Sequence, residues 1–209
     1  MRGIFITIEG PDGAGKTTQR DLLQEYLEKK GYDVLLTRDP GGNAISEAIR
    51  EIILNKEFTE MGYMTELLLY ASARAQLVKE NIKPALDSGK AVIADRFVDS
   101  SAVYQGVGRG LGIDIVYGVN KFALQGIMPD LTFLLDLDAE KGIERKKNQA
   151  ELDRMESEKA DFHRKVVEGY RQLAEAQPER IIKIDATLPI NDIHDIISSY
   201  VEKKLSETI

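Results

Sequence analysis

Gly10-Pro11-Asp12-Gly13-Ala14-Gly15-Lys16-Thr17 combines glycines, a lysine and a hydroxyl residue at a spacing suited to a polyphosphate. Glycines let successive backbone N–H groups turn inward around phosphate oxygens, and a helix starting there aims its positive end at the same place. Lys16 would then reach the β- and γ-phosphates, and Thr17 would ligate Mg²⁺ beside them. A glycine turn with an exposed lysine is the plainer reading. The apolar run Ile4 to Glu9 before the loop and the helical pattern after it favour a P-loop.

A P-loop alone does not say whether the γ-phosphate is hydrolysed, sensed or transferred, so other residues must decide. GTP switches read guanine with Asn-Lys-x-Asp, but Asn120-Lys121 is followed by Phe122 and Ala123 and lacks the carboxylate. ATP-driven motors place Asp-Glu after an apolar run, whereas Ala91-Val92-Ile93-Ala94 leads into Asp95-Arg96. Arginine is no base for water, but it can hold a second phosphate. A structural ion pair is the bland account of Asp95-Arg96; beside a P-loop, transfer to a phosphorylated acceptor is the better one. Tyr70 and Arg74 are four apart on a helical pattern, so a ring and a guanidinium share one face and can stack and read a base. A buried tyrosine beside an arginine ion pair is the alternative. If the segment after Arg96 is helical, Ser101 with Gln105 and Ser100 with Tyr104 share faces in the same way.

These side chains need a frame. Apolar runs at Ile4 to Glu9, Val34 to Thr37, Ala91 to Ala94, Leu131 to Leu135 and Ile181 to Ile184 read as strands buried on both faces, hence parallel. Helical patterns lie between them: Leu22, Leu23, Tyr26 and Leu27 before Gly31, and a longer helix over Tyr63 to Glu80. The expectation is an α/β fold, a P-loop NTPase-type doubly wound sheet of five parallel strands flanked by helices, in one domain over residues 1–209. The charged stretch Glu140 to Arg154 is read as a lid, about 141–154, against the plainer reading of a solvated helix face. Gly106, Gly108, Gly110 and Gly112 follow no strand and are read as a mobile loop rather than a dinucleotide fingerprint.

Composition bounds the rest. The net charge of −7 opposes a nucleic-acid polymer partner. No apolar run is long enough for a membrane span, and the first ten residues do not suit a signal peptide. There is no cysteine, and His163 and His194 make no metal-ligand spacing, so a cytoplasmic enzyme is expected.

Thr37-Arg38-Asp39-Pro40-Gly41-Gly42, Asp95-Arg96-Phe97-Val98-Asp99-Ser100-Ser101, Tyr104-Gln105-Gly106, Pro129-Asp130-Leu131-Thr132 and Leu152-Asp153-Arg154 follow the P-loop in order. Together they resemble thymidylate kinase over nearly the whole chain. The resemblance implies transfer of the γ-phosphoryl of ATP to dTMP, giving dTDP and ADP, with Mg²⁺ and usually in a homodimer. Residues 10–17 would bind ATP, with Lys16 catalytic. Asp12 would hold the sugar 3′-hydroxyl or the surroundings of the acceptor phosphate, and Arg38 and Arg96 would bind that phosphate. Tyr70 stands where a phenylalanine usually stacks on thymine, and Arg74 would hydrogen-bond O4. Tyr104 would close the space beneath the 2′ carbon, Ser101 and Gln105 would border the base, and Asp95 would organise Mg²⁺. A kinase for another nucleotide or deoxynucleoside is the near alternative; a regulatory P-loop module that binds ATP without transfer is the distant one.

The chain departs from the family pattern in two respects. The resemblance implies a cation over the transferring phosphate, supplied by an arginine of the P-loop or by arginines of the lid; the P-loop variable positions, Pro11, Asp12, Gly13 and Ala14, include no arginine, which leaves the lid. There, Gln149 lies near where an arginine is often found, leaving Arg145, Lys147 and Arg154 as candidates. Asp39 stands where glutamate is common, and a minor shift is expected from it.

Overall fold

The computed structural model describes residues 2–147 and 153–207, without the side chains of Lys146 and Lys147. In chain order its elements are β1 (Phe5–Glu9), α1 (Lys16–Lys29), β2 (Val34–Arg38), α2 (Ala44–Leu54), α3 (Tyr63–Leu77) and α4 (Lys83–Asp87). These are followed by β3 (Ala91–Asp95), α5 (Val98–Ser101), α6 (Ile113–Leu124) and β4 (Leu131–Asp136). Last come α7 (Ala139–Lys147), α8 (Ala160–Ala176), β5 (Ile181–Asp185) and α9 (Ile190–Ser206). The sheet is parallel throughout, in the order β2-β3-β1-β4-β5. No helix of the described residues is long and apolar enough to cross a membrane.

The central strands β1, β3 and β4 are almost wholly buried, as their unbroken apolar runs require. The edge strands β2 and β5 are only partly covered. Side chains alternate across the sheet. On β1, Ile6 and Ile8 pack with Leu23 and Leu27 of α1 and Ile193 and Ile197 of α9, while Phe5 packs on the other face with Leu77, Phe97 and Val98. The same alternation puts Glu9 on the Phe5 face, towards α5.

Two sequence expectations are corrected. The helix expected over Tyr63 to Glu80 is α-helical only to Leu77; it continues through a π-helical turn, Val78–Ile82, into α4. Pro84, at the start of α4, has no N–H to give to Glu80, so the hydrogen-bond ladder shifts register there. The glycine series expected to be a mobile loop is partly helical, because Ala102–Gly108 forms a second π-helical turn continuous with α5. A Cβ on Gly108 would lie 2.6 Å from the Phe162 ring, so this glycine permits close packing against α8. Residues 109–112 alone form the turn into α6.

Candidate active site

The parallel sheet directs every strand's C-terminal end to one edge, and the chain leaves β1 there directly into the phosphate loop. Asp12, Gly13, Gly15, Lys16 and Thr17 line a cleft of about 570 Å³ at that edge. Gly10, Pro11 and Ala14 are buried and do not line it. Lys16 Nζ donates to Gly10 O at 3.2 Å and Pro11 O at 2.9 Å, and sits 3.8 Å from the Asp12 carboxylate. Burial and the nearby Arg96 charge lower the Lys16 pKa, while Asp12 opposes them.

β3 delivers Asp95 and Arg96 to the same cleft, beside Arg38 at the end of β2. Arg96 adopts a left-handed backbone at φ 68, a conformation that costs a non-glycine residue about 1–2 kcal/mol. Arg96 Nη2 donates to Asp12 at 2.6 Å, and Nη1 donates to Ser100 Oγ and Tyr170 Oη. Tyr104 lies under this guanidinium, with its ring centroid 5.1 Å away. Arg38 is paired with Glu47 of α2 at 2.8 Å.

Sequence reasoning passed over Glu9, Tyr170 and Asp99. Glu9 is fully buried and accepts from Phe97 N, Ser100 Oγ and Tyr170 Oη. Asp99 receives both terminal nitrogens of Arg180, at 2.6 and 2.9 Å. A glutamate closing a wholly buried strand was the available signal for Glu9; Tyr170 carried none. Burial, reinforced by the Asp99 charge, pushes the Glu9 carboxyl from its ordinary 4.5 up to about 7 against the pull of Arg96. Between those pH values the unfolded chain has lost a proton that the folded chain keeps, so this group's contribution to stability falls as pH rises. Glu9→Gln removes that slope. In urea titrations at about pH 5 and about pH 8, the variant is expected to gain up to about 3 kcal/mol relative to the parent at the higher pH. A difference independent of pH would mean that the carboxyl is not raised.

Further along the cleft, Tyr70, Arg74, Ser101, Tyr104 and Gln105 line one wall. Arg74 is buried and donates to Asp39 at 2.5 Å, Ser101 at 2.9 Å, Phe97 O at 3.4 Å, and Asn120. Among the described residues, one proton on Nη1 has no acceptor. Asn120, set aside because the guanine motif was incomplete, is thus a buried prop for Arg74. Asp39 is enclosed here too; burial raises its carboxyl although Arg74 pulls it down. Gln105 Nε2 donates to Glu66 of α3 at 3.0 Å, while its buried Oε1 has no partner among the described residues. Glu66 also pairs with Arg109 at 3.1 Å and Arg154 at 2.7 Å. Burial works to raise the Glu66 carboxyl, but its hydrogen bonds to Arg109 and Gln105 outweigh it and hold it below the ordinary value.

The three lid cations have separate fates. On α7, Arg145 Nη1 donates to Gly13 O of the phosphate loop at 3.2 Å. Gly142 makes that approach possible, since a Cβ there would stand 2.5 Å from Asp12 O. Arg154 instead pairs with Glu66 and donates from Nε to Ile53 O at 2.7 Å, fixing the returning chain to the end of α2. The Lys147 side chain and Gln149 lie outside the described residues.

A P-loop opening into one cleft that also holds an arginine pair and a base-sized polar wall defines a nucleoside-monophosphate kinase. The thymidylate kinase family model matches residues 8–197. The thymidylate kinase of Geobacillus thermodenitrificans is 51% identical over 195 residues, 92% of this chain and 87% of that protein. That of Caldanaerobacter subterraneus is 49% identical over 205 residues, covering 98% of each. The crystal structure of thymidylate kinase from Ehrlichia chaffeensis superimposes with a TM-score of 0.78 at 33% identity, covering 97% of this chain and 99% of that one. The chain belongs to the thymidylate kinase family: it phosphorylates dTMP with ATP, yielding dTDP for dTTP synthesis.

Proposed function

We propose that this transfer runs between a donor half formed by residues 10–17 and an acceptor half formed by Asp12, Arg38, Arg96 and the wall from Tyr70 to Gln105. The carrying observation is that Asp12, Lys16 and Arg96 meet within one cleft, with Asp12 in contact with both cations. Phosphoryl transfer asks little covalent help of a protein and depends on alignment and on cations placed against developing charge. In this reading Lys16 swings from its loop carbonyls to the β- and γ-phosphates, and Arg145 lies over the transferring group. Arg96 and Arg38 hold the acceptor phosphate in line.

Thr17 and Asp95 supply a hydroxyl and a carboxylate, hard oxygens that fit Mg²⁺ when water and nucleotide phosphate complete its shell. Bound there, the ion would neutralise charge on the β- and γ-oxygens.

For the base, Gln105 is held by Glu66 so that Oε1 remains to accept from thymine N3–H, and the spare Arg74 proton meets O4. Tyr70 stacks on the ring. Tyr104, tied under Arg96, occupies the space a 2′-hydroxyl would need. Tyr104→Ala is therefore expected to narrow the preference for dUMP over UMP by about 10–100-fold, in a coupled ADP-release assay that keeps the base constant. An unchanged ratio would remove Tyr104 from sugar selection.

A homodimer is part of the proposal. Helices α2, α3 and α6 pack side by side and expose Ile45, Ile52, Met64, Leu68, Ile115 and Phe122, an apolar face with no cover among the described residues. Sedimentation is expected to show a dimer that Leu68→Glu together with Phe122→Glu dissociates; a monomeric parent protein would sink this reading. Residues 1–209 act as one domain, which we place in the cytoplasm with its two nucleotide substrates.

A further inference from the structure

Arg96 carries five N–H protons, and three of them find acceptors among the described residues. Nη2 donates to Asp12 at 2.6 Å, while Nη1 donates to Ser100 Oγ at 3.2 Å and Tyr170 Oη at 3.1 Å. A hydroxyl oxygen accepts well only when its own proton points elsewhere. Ser100 and Tyr170 stand 2.8 Å apart, close enough for either to turn its proton on the other. Glu9 draws both away: Ser100 Oγ donates to Glu9 Oε2 at 2.5 Å and Tyr170 Oη to the same oxygen at 2.8 Å. The other oxygen, Oε1, accepts from Phe97 N at 2.7 Å, which fixes the carboxylate plane. Glu9, Phe97, Ser100 and Tyr170 are buried, while Arg96 and Asp12 are partly exposed to the cleft.

We propose that Glu9, acting through Ser100 and Tyr170, is the positioning residue for the acceptor phosphate. An ionised carboxylate is acceptor-only, so it sets both hydroxyls as acceptors for Nη1 and leaves the Nε proton and one Nη2 proton of Arg96 to meet dTMP. Such a paired edge suits a phosphate, and its alignment governs how well the guanidinium holds one. Glutamine at the same place brings an N–H₂ that competes for these hydroxyls and turns one proton back towards Arg96. The inference rests on the reading that Arg96 binds the dTMP phosphate. A purely structural Glu9 would tie β1 to α5 through Phe97 and affect ligands with and without a phosphate alike.

Calorimetric binding of dTMP and of thymidine, at about pH 8 where Glu9 is ionised, separates these roles. Arg96→Ala comes first: it should bring dTMP affinity towards that of thymidine, and if it does not, the reading of Arg96 fails. Given that result, Glu9→Gln and Tyr170→Phe should each weaken dTMP about tenfold and thymidine less than about twofold. In the Arg96→Ala background, Glu9→Gln should cost dTMP less than about twofold more. Equal losses for both ligands, or an unchanged dTMP affinity, overturn the proposal while leaving Arg96 in place. Should Glu9→Gln fail to fold, Tyr170→Phe, which removes one hydroxyl and no charge, decides by the same comparison.

Discussion

Arg145→Ala is expected to lower kcat by about 10³ while changing dTMP affinity less than about threefold. The phosphate loop of this chain supplies no arginine of its own, so beyond Lys16 the charge developing on the transferring group is met from outside the loop. Arg145 is the described lid cation that touches the loop, through Gly13 O at 3.2 Å. It stands on a helix braced against Asp12 at Gly142, so the guanidinium needs only a side-chain rotation to leave the carbonyl for a phosphate oxygen. A group that acts mainly in the transition state affects turnover more than substrate binding. Arg154→Ala is the control. Its guanidinium is engaged with Glu66 and Ile53 O, and its loss should appear as about 1–3 kcal/mol of stability in a urea titration, with turnover reduced far less. Full turnover in single alanine variants of Arg145, Lys147 and Arg154 would defeat the idea that the lid supplies the cation.

The second large effect is expected at Lys16. Lys16→Met keeps the aliphatic stem and its burial but removes the charge, and should lower kcat by about 10³ with little change in dTMP binding. The ammonium lies against Gly10 O, Pro11 O and Asp12, all within the loop, so it exchanges these local partners for phosphate oxygens when ATP enters. Its pKa is lowered by burial, yet the adjacent Asp12, Asp95 and Glu9 favour the charged form. Steady-state kinetics with both substrates varied, alongside dTMP calorimetry, would check this. A fall of less than tenfold, or a matching loss of dTMP affinity, would assign Lys16 a different task.

Both predictions trace to residues visible in the linear chain, but their assignment differs in kind. The P-loop is eight consecutive residues whose chemistry is local, so its glycines, lysine and threonine could be read without a fold. Strand count and parallel pairing were legible too, because burial on both faces leaves unbroken apolar runs. The helical spacing of Tyr70 with Arg74, and of Ser101 with Gln105, predicted that each pair shares a face, and all four line the cleft. Helix phase did fail locally, at Val78–Ile82, where Pro84 has no N–H to give, and at Ala102–Gly108, a π-helical turn that packs against α8.

The choice among Arg145, Lys147 and Arg154 stayed open in the sequence because a positive charge within a run of charges has no address. Only the folded chain placed Arg145 against Gly13 and Arg154 against Glu66, and only the fold joined Glu9 to Tyr170 across 161 residues of sequence. The reason is physical. Residue type and short-range periodicity set which chemistry a segment can perform and which way its backbone runs. A hydrogen bond near 3 Å depends on how distant elements pack, and that geometry is written in no single segment.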